Sequence, residues 1–367
     1  MIDLDDYLAW DAVEMGARVR AGDVTARALD EACRALIDAT NPALNAVADL
    51  APVDLDPAPP AGIFAGVPFA VKELLGVPGL PWTFGSRLMA ANPAGPESPY
   101  VARLTAAGLR VVCSATSSEF GLLGSTESAL RGVTHNPAGA GLSAGGSSGG
   151  SAALVAAGIV PMAHANDAGG SIRLPASMTG TFGFMPSAGR CEPSVPGAEG
   201  LAALVVDHCI SRTVRDSATL LGATERLGAD APYAPVGTIT GPNERRLRVG
   251  TITRTLIGDE PDPAVAAAVE RTQALLDRLG HHPVDVAPPA IDGAALSDAF
   301  YTTAALTMAG MASMVAPLLG RAPGPDELEP FTLELIDWAS TLAPGAGEVA
   351  AHSLAAAAAV YLSLFDR

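Results

Sequence analysis

The strongest constraint on the fold is a helical segment that lies between two short apolar runs. Phe64–Val71 and Arg110–Ala115 have the length and composition of buried strands, and Pro99–Gly108 between them has a helical pattern. The order strand, helix, strand is typical of an α/β sheet. The same order recurs in three later segments: Leu247–Arg254, Pro263–Leu279 and His281–Val286. We therefore expect an α/β fold.

The flanking parts of the chain are predicted to be mainly helical. Between Leu4 and Leu50 apolar residues recur at helical spacing in two blocks, with Gly22 ending one helix and Asp23 capping the next. Pro52–Pro60 is a proline-rich connector, and the chain beyond Ile291 has the pattern of Ala-rich helices. With 367 residues and 49% hydrophobic content, the chain can bury a large core. We find no internal repeat and no sharp domain boundary.

Charge and composition reduce the number of possible partners. The formal net charge of −17 disfavours binding to nucleic acid or to an anionic membrane. The acidic N-terminus does not resemble a signal peptide, and we find no uninterrupted apolar stretch of membrane-spanning length. We expect a soluble cytoplasmic protein without metal or other cofactor. The four cysteines are widely spaced and predict reduced thiols: Cys33, Cys113, Cys191 and Cys209.

Lys72 is the only lysine of the chain, beside 21 arginines. It lies in the apolar run Gly66–Leu75. Arginine stays protonated at any accessible pH, whereas a lysine desolvated by apolar neighbours can lose its proton near neutrality. The alternative is a strand-end lysine whose amine lies in solvent. We favour a functional role as a base.

Two glycine-rich and serine-rich loops, Ala144–Ser151 and Asp167–Arg173, are the candidate sites for chemistry. A phosphate-binding loop of the Walker type needs lysine directly before Ser or Thr, and Lys72 lies far upstream. Gly141–Gly145 matches the Gly-x-Ser-x-Gly elbow, but Gly and Pro precede it where a strand is required. We therefore regard that match as accidental.

A Ser-His-Asp triad is a further alternative, because His164 and Asp167 precede Ser171 closely. On an extended segment these two side chains point to opposite faces, and a histidine in an apolar run is more often a satisfied core residue. The other histidines show no metal-ligand spacing: His135, His208, His281, His282 and His352. What remains is a serine nucleophile activated by the lone lysine.

The loop around Ser171 is suited to nucleophilic catalysis. Gly169 and Gly170 leave the adjacent backbone without side chains, so that consecutive N–H groups can converge on an oxyanion. Asp167 and Arg173 flank this turn and are placed to pair with each other. One such loop alone is also compatible with a plain glycine turn.

Three motifs resemble those of the amidase signature family: Gly66–Glu73, Gly145–Ala153 and Asp167–Ser177. Weaker similarity extends from about Leu8 to Asp366. The resemblance implies that Lys72 is the base, Ser147 the relay serine after a cis peptide, and Ser171 the nucleophile. The family spacing of 24 residues from relay to nucleophile selects Ser147 rather than Ser148, which is assigned a supporting role.

The resemblance also implies a fold and a reaction. We expect a mixed β-sheet between helices in a single domain, 1–367, with N-terminal helices in 1–60, a catalytic core in 61–215 and a remainder in 216–367. The expected reaction is hydrolysis of C–N bonds in small amides through an acyl-enzyme. The expected oxyanion donors are the backbone N–H groups of Ala168, Gly169, Gly170 and Ser171. A homodimer is a further expectation.

Some residues differ from the usual family pattern. Ala165–Asn166 stands where the family has Gly-Thr, and Met185–Pro186 where it has Lys-Pro. The pattern His164-x-Asn166-Asp167 is similar to the branch of 6-aminohexanoate cyclic-dimer hydrolases, which suggests small linear or cyclic amides as substrates.

Family members continue beyond a Phe-Asp like Phe365–Asp366 into another strand, so we expect a C-terminally short chain. The alternatives are the glutaminase subunit of a transamidosome and an inactive remnant that serves as a binding protein.

Overall fold

A computed structural model describes residues 2–53, 61–242 and 244–366, so that most of the predicted connector lies outside the described residues. These residues form eleven α-helices and ten β-strands. The helices are α1 (Leu4–Ala9), α2 (Ala12–Ala21), α3 (Ala26–Leu44), α4 (Pro99–Ala106), α5 (Gly149–Ala156), α6 (Arg173–Thr179), α7 (Val214–Thr224), α8 (Pro263–Arg278), α9 (Gly293–Leu319), α10 (Pro330–Ala339) and α11 (Ala346–Leu362). The strands are β1 (Val47–Leu50), β2 (Pro68–Lys72), β3 (Arg110–Ala115), β4 (Glu127–Ser128), β5 (Gly132–Val133), β6 (Met162–Asp167), β7 (Phe182–Gly183), β8 (Val206–Ser211), β9 (Arg248–Thr251) and β10 (His282–Asp285).

Six strands of the described chain form one mixed sheet in the order β1-β3-β2-β6-β8-β7. Strand β2 runs parallel to β3 and β6, whereas the β1–β3, β6–β8 and β7–β8 pairs are antiparallel. Strands β2 and β6 are central and buried along their whole length. Helices α5 and α7 pack against the sheet. The predicted α/β fold with a mixed sheet between helices is confirmed.

The N-terminal region differs from the prediction of two helices. Asp11 accepts a hydrogen bond from the Glu14 N–H and starts a helix inside the first predicted block, so that three helices form. Gly22 ends a helix as predicted, and it does so in the left-handed conformation, with φ of 82°. The predicted cap at Asp23 is wrong, because Thr25 accepts the hydrogen bond from the N–H of Ala28.

Helix α5 approaches the sheet closely because its first two residues are glycine. A Cβ atom at Gly150 would lie 2.5 Å from the Thr116 N atom, and one at Gly149 would lie 2.4 Å from Thr126 Oγ1. A side chain at either position would push α5 off its neighbours. The glycines of this loop therefore fix where the helix and the serines before it lie.

The structure divides into two compact units, Met1–Ile239 with Leu318–Leu333, and Thr240–Pro317 with Glu334–Arg367. The first contains the mixed sheet and the three motifs. The second contains the parallel pair β9–β10, with α8 packed against β10. This strand, helix and strand follow the predicted order. The single domain over 1–367 stays a prediction.

Among the described residues, two helices are long and apolar enough to cross a membrane, Gly293–Leu319 and Ala346–Phe365. The core helix of a soluble protein passes the same test of length and composition. The predicted absence of a membrane span therefore stays a prediction. The four cysteines are buried free thiols.

Candidate active site

Lys72 is the last residue of β2, and its side chain is completely buried. Its Nζ donates a hydrogen bond to Ser147 Oγ over 2.7 Å and another to Asn166 Oδ1 over 2.6 Å. The alternative of an amine in solvent is therefore wrong. A lysine held in the interior by two neutral oxygens can exchange a proton with the hydroxyl beside it.

Burial lowers the pKa of Lys72 from 10.5 to about 7. The charged form loses its hydration there, and this effect is larger than the opposing attraction of Asp167, Asp207 and Glu73. A substantial fraction of the amine is therefore neutral at physiological pH. A neutral amine has a lone pair and can act as a base, which an ammonium ion cannot do.

Ser147 is held in the glycine-rich loop by its backbone. The Gly146–Ser147 peptide bond is cis. Thr126 Oγ1 donates to the carbonyl of Gly145 over 2.9 Å and accepts from the N–H of Gly149 over 3.0 Å, so that it joins both sides of the bend. The Ser147 hydroxyl is thereby fixed beside Lys72, at the N-terminus of α5.

Asp167 and Arg173 form the predicted ion pair. Arg173 Nε donates to Asp167 Oδ2 over 2.9 Å, and Nη2 donates to Oδ1 over 3.0 Å. Asp167 also accepts from the N–H groups of Gly170 and Ile172, over 2.7 Å and 3.2 Å. Burial by itself would raise the pKa of Asp167, but the hydrogen bonds and charge of Arg173 outweigh it and lower that pKa. An ionised Asp167 thus holds the turn that carries Ser171.

Ser171 is half-buried in this turn, between β6 and α6. The N–H of Gly170, one of the predicted oxyanion donors, is already donated to Asp167. Among the residues that the structure describes, none accepts from the N–H groups of Ala168, Gly169 or Ser171. Three of the four predicted donors therefore remain available to an oxyanion.

Ser148 and His164 both make hydrogen bonds close to Lys72 and Asn166. Ser148 Oγ donates to the backbone oxygen of Asn166 over 3.4 Å. His164 is fully buried, with Nε2 3.1 Å from Asp207 Oδ1 and Nδ1 accepting from the backbone N–H of Lys72 over 3.4 Å. His164 is thus a satisfied core residue, as predicted, and its carboxylate partner is Asp207 rather than Asp167.

Asn166 belongs to this site, although the sequence did not predict it. Its departure from the family pattern was visible, but its contact with Lys72 was not. Gly121 was also missed: a Cβ atom there would lie 3.3 Å from Ser147 Oγ and 2.8 Å from Leu74 Cδ2. Gly121 has a positive φ of 72°, and nothing in the sequence distinguished it from the other glycines.

Comparison with known proteins identifies relatives of this chain. Residues 22–331 match the protein family described as Amidase. The protein named amidase AmiC in Mycobacterium tuberculosis is 36% identical over 339 residues, which cover 90% of this chain and 71% of that protein. A 6-aminohexanoate-cyclic-dimer hydrolase from a Pseudomonas species is 34% identical over 345 residues, with 89% and 69% covered. A solved structure of 6-aminohexanoate cyclic dimer hydrolase has a TM-score of 0.87 at 29% identity, and the match covers 100% of this chain and 78% of that one.

Proposed function

This chain belongs to the amidase family and hydrolyses amide C–N bonds, and we propose that it does so with Ser171 as nucleophile, Ser147 as proton relay and Lys72 as base. The main support is the hydrogen bond of 2.7 Å between Lys72 Nζ and Ser147 Oγ inside the protein. It joins the only lysine of the chain, which has a pKa of about 7, to Ser147 of the loop Ala144–Ser151.

The first half of the reaction forms an acyl-enzyme. Neutral Lys72 takes the proton of Ser147, Ser147 takes the proton of Ser171, and Ser171 Oγ attacks the amide carbonyl carbon. The tetrahedral intermediate collapses when the C–N bond breaks and the relay returns a proton to the leaving nitrogen. Water then attacks the ester by the same route, which releases the acid and restores Ser171.

The negative charge of each tetrahedral intermediate needs donors in the backbone. We assign this role to the N–H groups of Ala168, Gly169 and Ser171, and we leave out Gly170 because Asp167 accepts its N–H. Donors that are already oriented stabilise the charge without reorganisation during the reaction. The ion pair of Asp167 and Arg173 keeps this turn in place.

The substrate proposed here is a small linear or cyclic carboxylic amide. The support is the similarity to proteins named 6-aminohexanoate-cyclic-dimer hydrolase, together with the pattern His164-x-Asn166-Asp167. Release of acid and amine without a second protein is expected, in contrast to a transamidosome subunit. The cytoplasmic location and the homodimer stay predictions.

The test is covalent labelling with a fluorophosphonate, which reacts with activated serine hydroxyls. We expect wild type to label and Ser171→Ala, Ser147→Ala and Lys72→Met to lose labelling, while Ser177→Ala, which changes an exposed serine on α6, labels normally. Hydroxylamine added during amide hydrolysis should trap the acyl group as a hydroxamate. Labelling that persists in Ser171→Ala, or folded wild type that does not label, would contradict the proposal.

A further inference from the structure

Asn166 makes a contact with the base that the proposed triad does not use. Its Oδ1 atom accepts from Lys72 Nζ over 2.6 Å, and its side chain is buried with 9% exposure. Within the part of the chain that the structure describes, two polar atoms thus contact the amine of Lys72: Asn166 Oδ1 and Ser147 Oγ. They differ in one chemical respect, because a hydroxyl can both donate and accept, whereas a carboxamide oxygen can only accept.

We propose that Asn166 is a positioning residue that directs the lone pair of neutral Lys72 toward the hydroxyl of Ser147. The proposal rests on the proposed function, because it concerns the base of that mechanism. A neutral amine carries two N–H bonds and one lone pair in three tetrahedral directions. Since Asn166 Oδ1 has no proton, the direction toward Asn166 must hold an N–H, and the lone pair is restricted to the other two.

The same contact becomes stronger when Lys72 is protonated. The proton of Ser147 moves to Nζ as Ser171 attacks, and the amine becomes an ammonium ion with three N–H donors. The hydrogen bond to Asn166 Oδ1 is then charge-assisted, which stabilises the ammonium ion of Lys72 as it forms. Asn166 does this without a formal charge of its own, so that Lys72 can be neutral again before the next cycle.

Strand β6 holds Lys72 at two points. His164 and Asn166 lie two residues apart and therefore share one face of β6. His164 accepts from the backbone N–H of Lys72, and Asn166 accepts from its amine. Strand β6 is paired with β2 at Ala163 and Ala70, close to these residues. Both contacts with Lys72 therefore depend on the same register between β2 and β6.

The charged groups around Lys72 show why the acceptor is an amide. Carboxylates already act on the amine from three elements: Asp167 at the end of β6, Asp207 on β8, and Glu73 directly after β2. Each attracts the proton of Lys72. A carboxylate in direct contact would retain the ammonium form, and a hydroxyl could donate to the lone pair in competition with Ser147. Asparagine at position 166 avoids both effects.

The experiment uses the fact that the chain has one lysine. In protein labelled with ¹⁵N-lysine, the side-chain signal comes from Lys72 alone, so that its titration gives the pKa directly. Wild type, Asn166→Leu and Asn166→Asp are compared by this titration and by the rate of fluorophosphonate labelling against pH. Leucine keeps the approximate size without the acceptor, and aspartate keeps the shape with a charge.

We expect two different results. In Asn166→Leu the labelling rate on the alkaline plateau, where Lys72 is already neutral, falls by about tenfold or more, since the lone pair is no longer directed. In Asn166→Asp the pKa of Lys72 and the rising limb of the rate profile move together to higher pH by about one unit or more. A carboxylate beside the amine raises its pKa whatever the role of Asn166 in wild type, so Asn166→Asp shows only that position 166 acts on Lys72. The plateau rate of Asn166→Leu is the measurement that tests the direction of the lone pair.

The outcomes separate this proposal from the proposed function. If wild type and Ser171→Ala behave as predicted above, but Asn166→Leu keeps its plateau rate within about twofold, the role of Asn166 is overturned alone. If Asn166→Leu does not fold, the plateau rate of Asn166→Ala, which also lacks the acceptor, decides. If folded wild type does not label at any pH, both proposals are wrong.

Discussion

Replacing Lys72 by methionine should change how stability depends on pH. Methionine is an unbranched apolar side chain that fits the space of the lysine stem, but it carries no proton. In wild type, the pKa of Lys72 is 10.5 when the chain is unfolded and about 7 when it is folded. Between these values the unfolded chain binds a proton that the folded chain has released.

The size of the effect follows from this difference. Because the unfolded state binds more protons, the free energy of unfolding of wild type rises with pH across this window, by about 1.4 kcal/mol per pH unit. Below about pH 7 both states are protonated and this contribution is constant. From about pH 7 to about pH 10 wild type should gain up to about 4 kcal/mol relative to Lys72→Met.

The variant also leaves Ser147 Oγ and Asn166 Oδ1 without their donor, at a cost of about 1–3 kcal/mol each. Lys72→Met also removes the cost of burying an amine, which acts in the opposite direction. The cost of the two lost hydrogen bonds does not vary across the pH window. The change of the difference with pH is therefore the quantity to measure, rather than the difference at one pH.

The assay is urea unfolding of both proteins at several pH values between about 7 and about 10, with the variant's free energy subtracted at each pH. Other titrating groups are common to both proteins and cancel, and the chain has no second lysine. A difference that stays constant within about 1 kcal/mol over this range would show that Lys72 keeps an ordinary pKa in the folded state, and would refute the reasoning.

Two further predictions concern the rate and the packing. The rate of Ser171 labelling should rise about tenfold per pH unit below about pH 7 and be flat above it, since only neutral Lys72 is a base; a rate that falls through this range would contradict the mechanism. Gly150→Ala should reduce the free energy of unfolding by about 3 kcal/mol, because the new Cβ would meet backbone atoms of Thr116, including N at 2.5 Å. The control is Gly310→Ala on α9, where a new Cβ atom would have no described neighbour within 4 Å, so that the free energy of unfolding should rise by about 0.5–1 kcal/mol. Similar losses in both variants would show that the contact with Thr116 does not cause the destabilisation.

The parts of the fold that were predicted well depend on local patterns. Strand β3 spans the predicted Arg110–Ala115, and α8 starts at the predicted Pro263, because apolar spacing and a proline at the first helical turn are properties of one segment. The break between α1 and α2 was missed, since apolar spacing continues across it and the cap at Asp11 interrupts only the backbone. Strand β1 is short and forms by pairing with β3, which no local pattern reveals.

The sequence by itself determined the candidate residues and the family. One lysine among 21 arginines, and two glycine-rich loops with serine, led to the prediction of Lys72, Ser147 and Ser171 as the site and to the amidase family. Only the tertiary structure decided their surroundings: the burial that lowers the pKa of Lys72, and the amide oxygen of Asn166 against its amine. The physical reason is that Lys72 and Asn166 are 94 residues apart and meet only because β2 and β6 are neighbours in the sheet. Strand order and desolvation are properties of the assembled core, and no spacing along the chain encodes them.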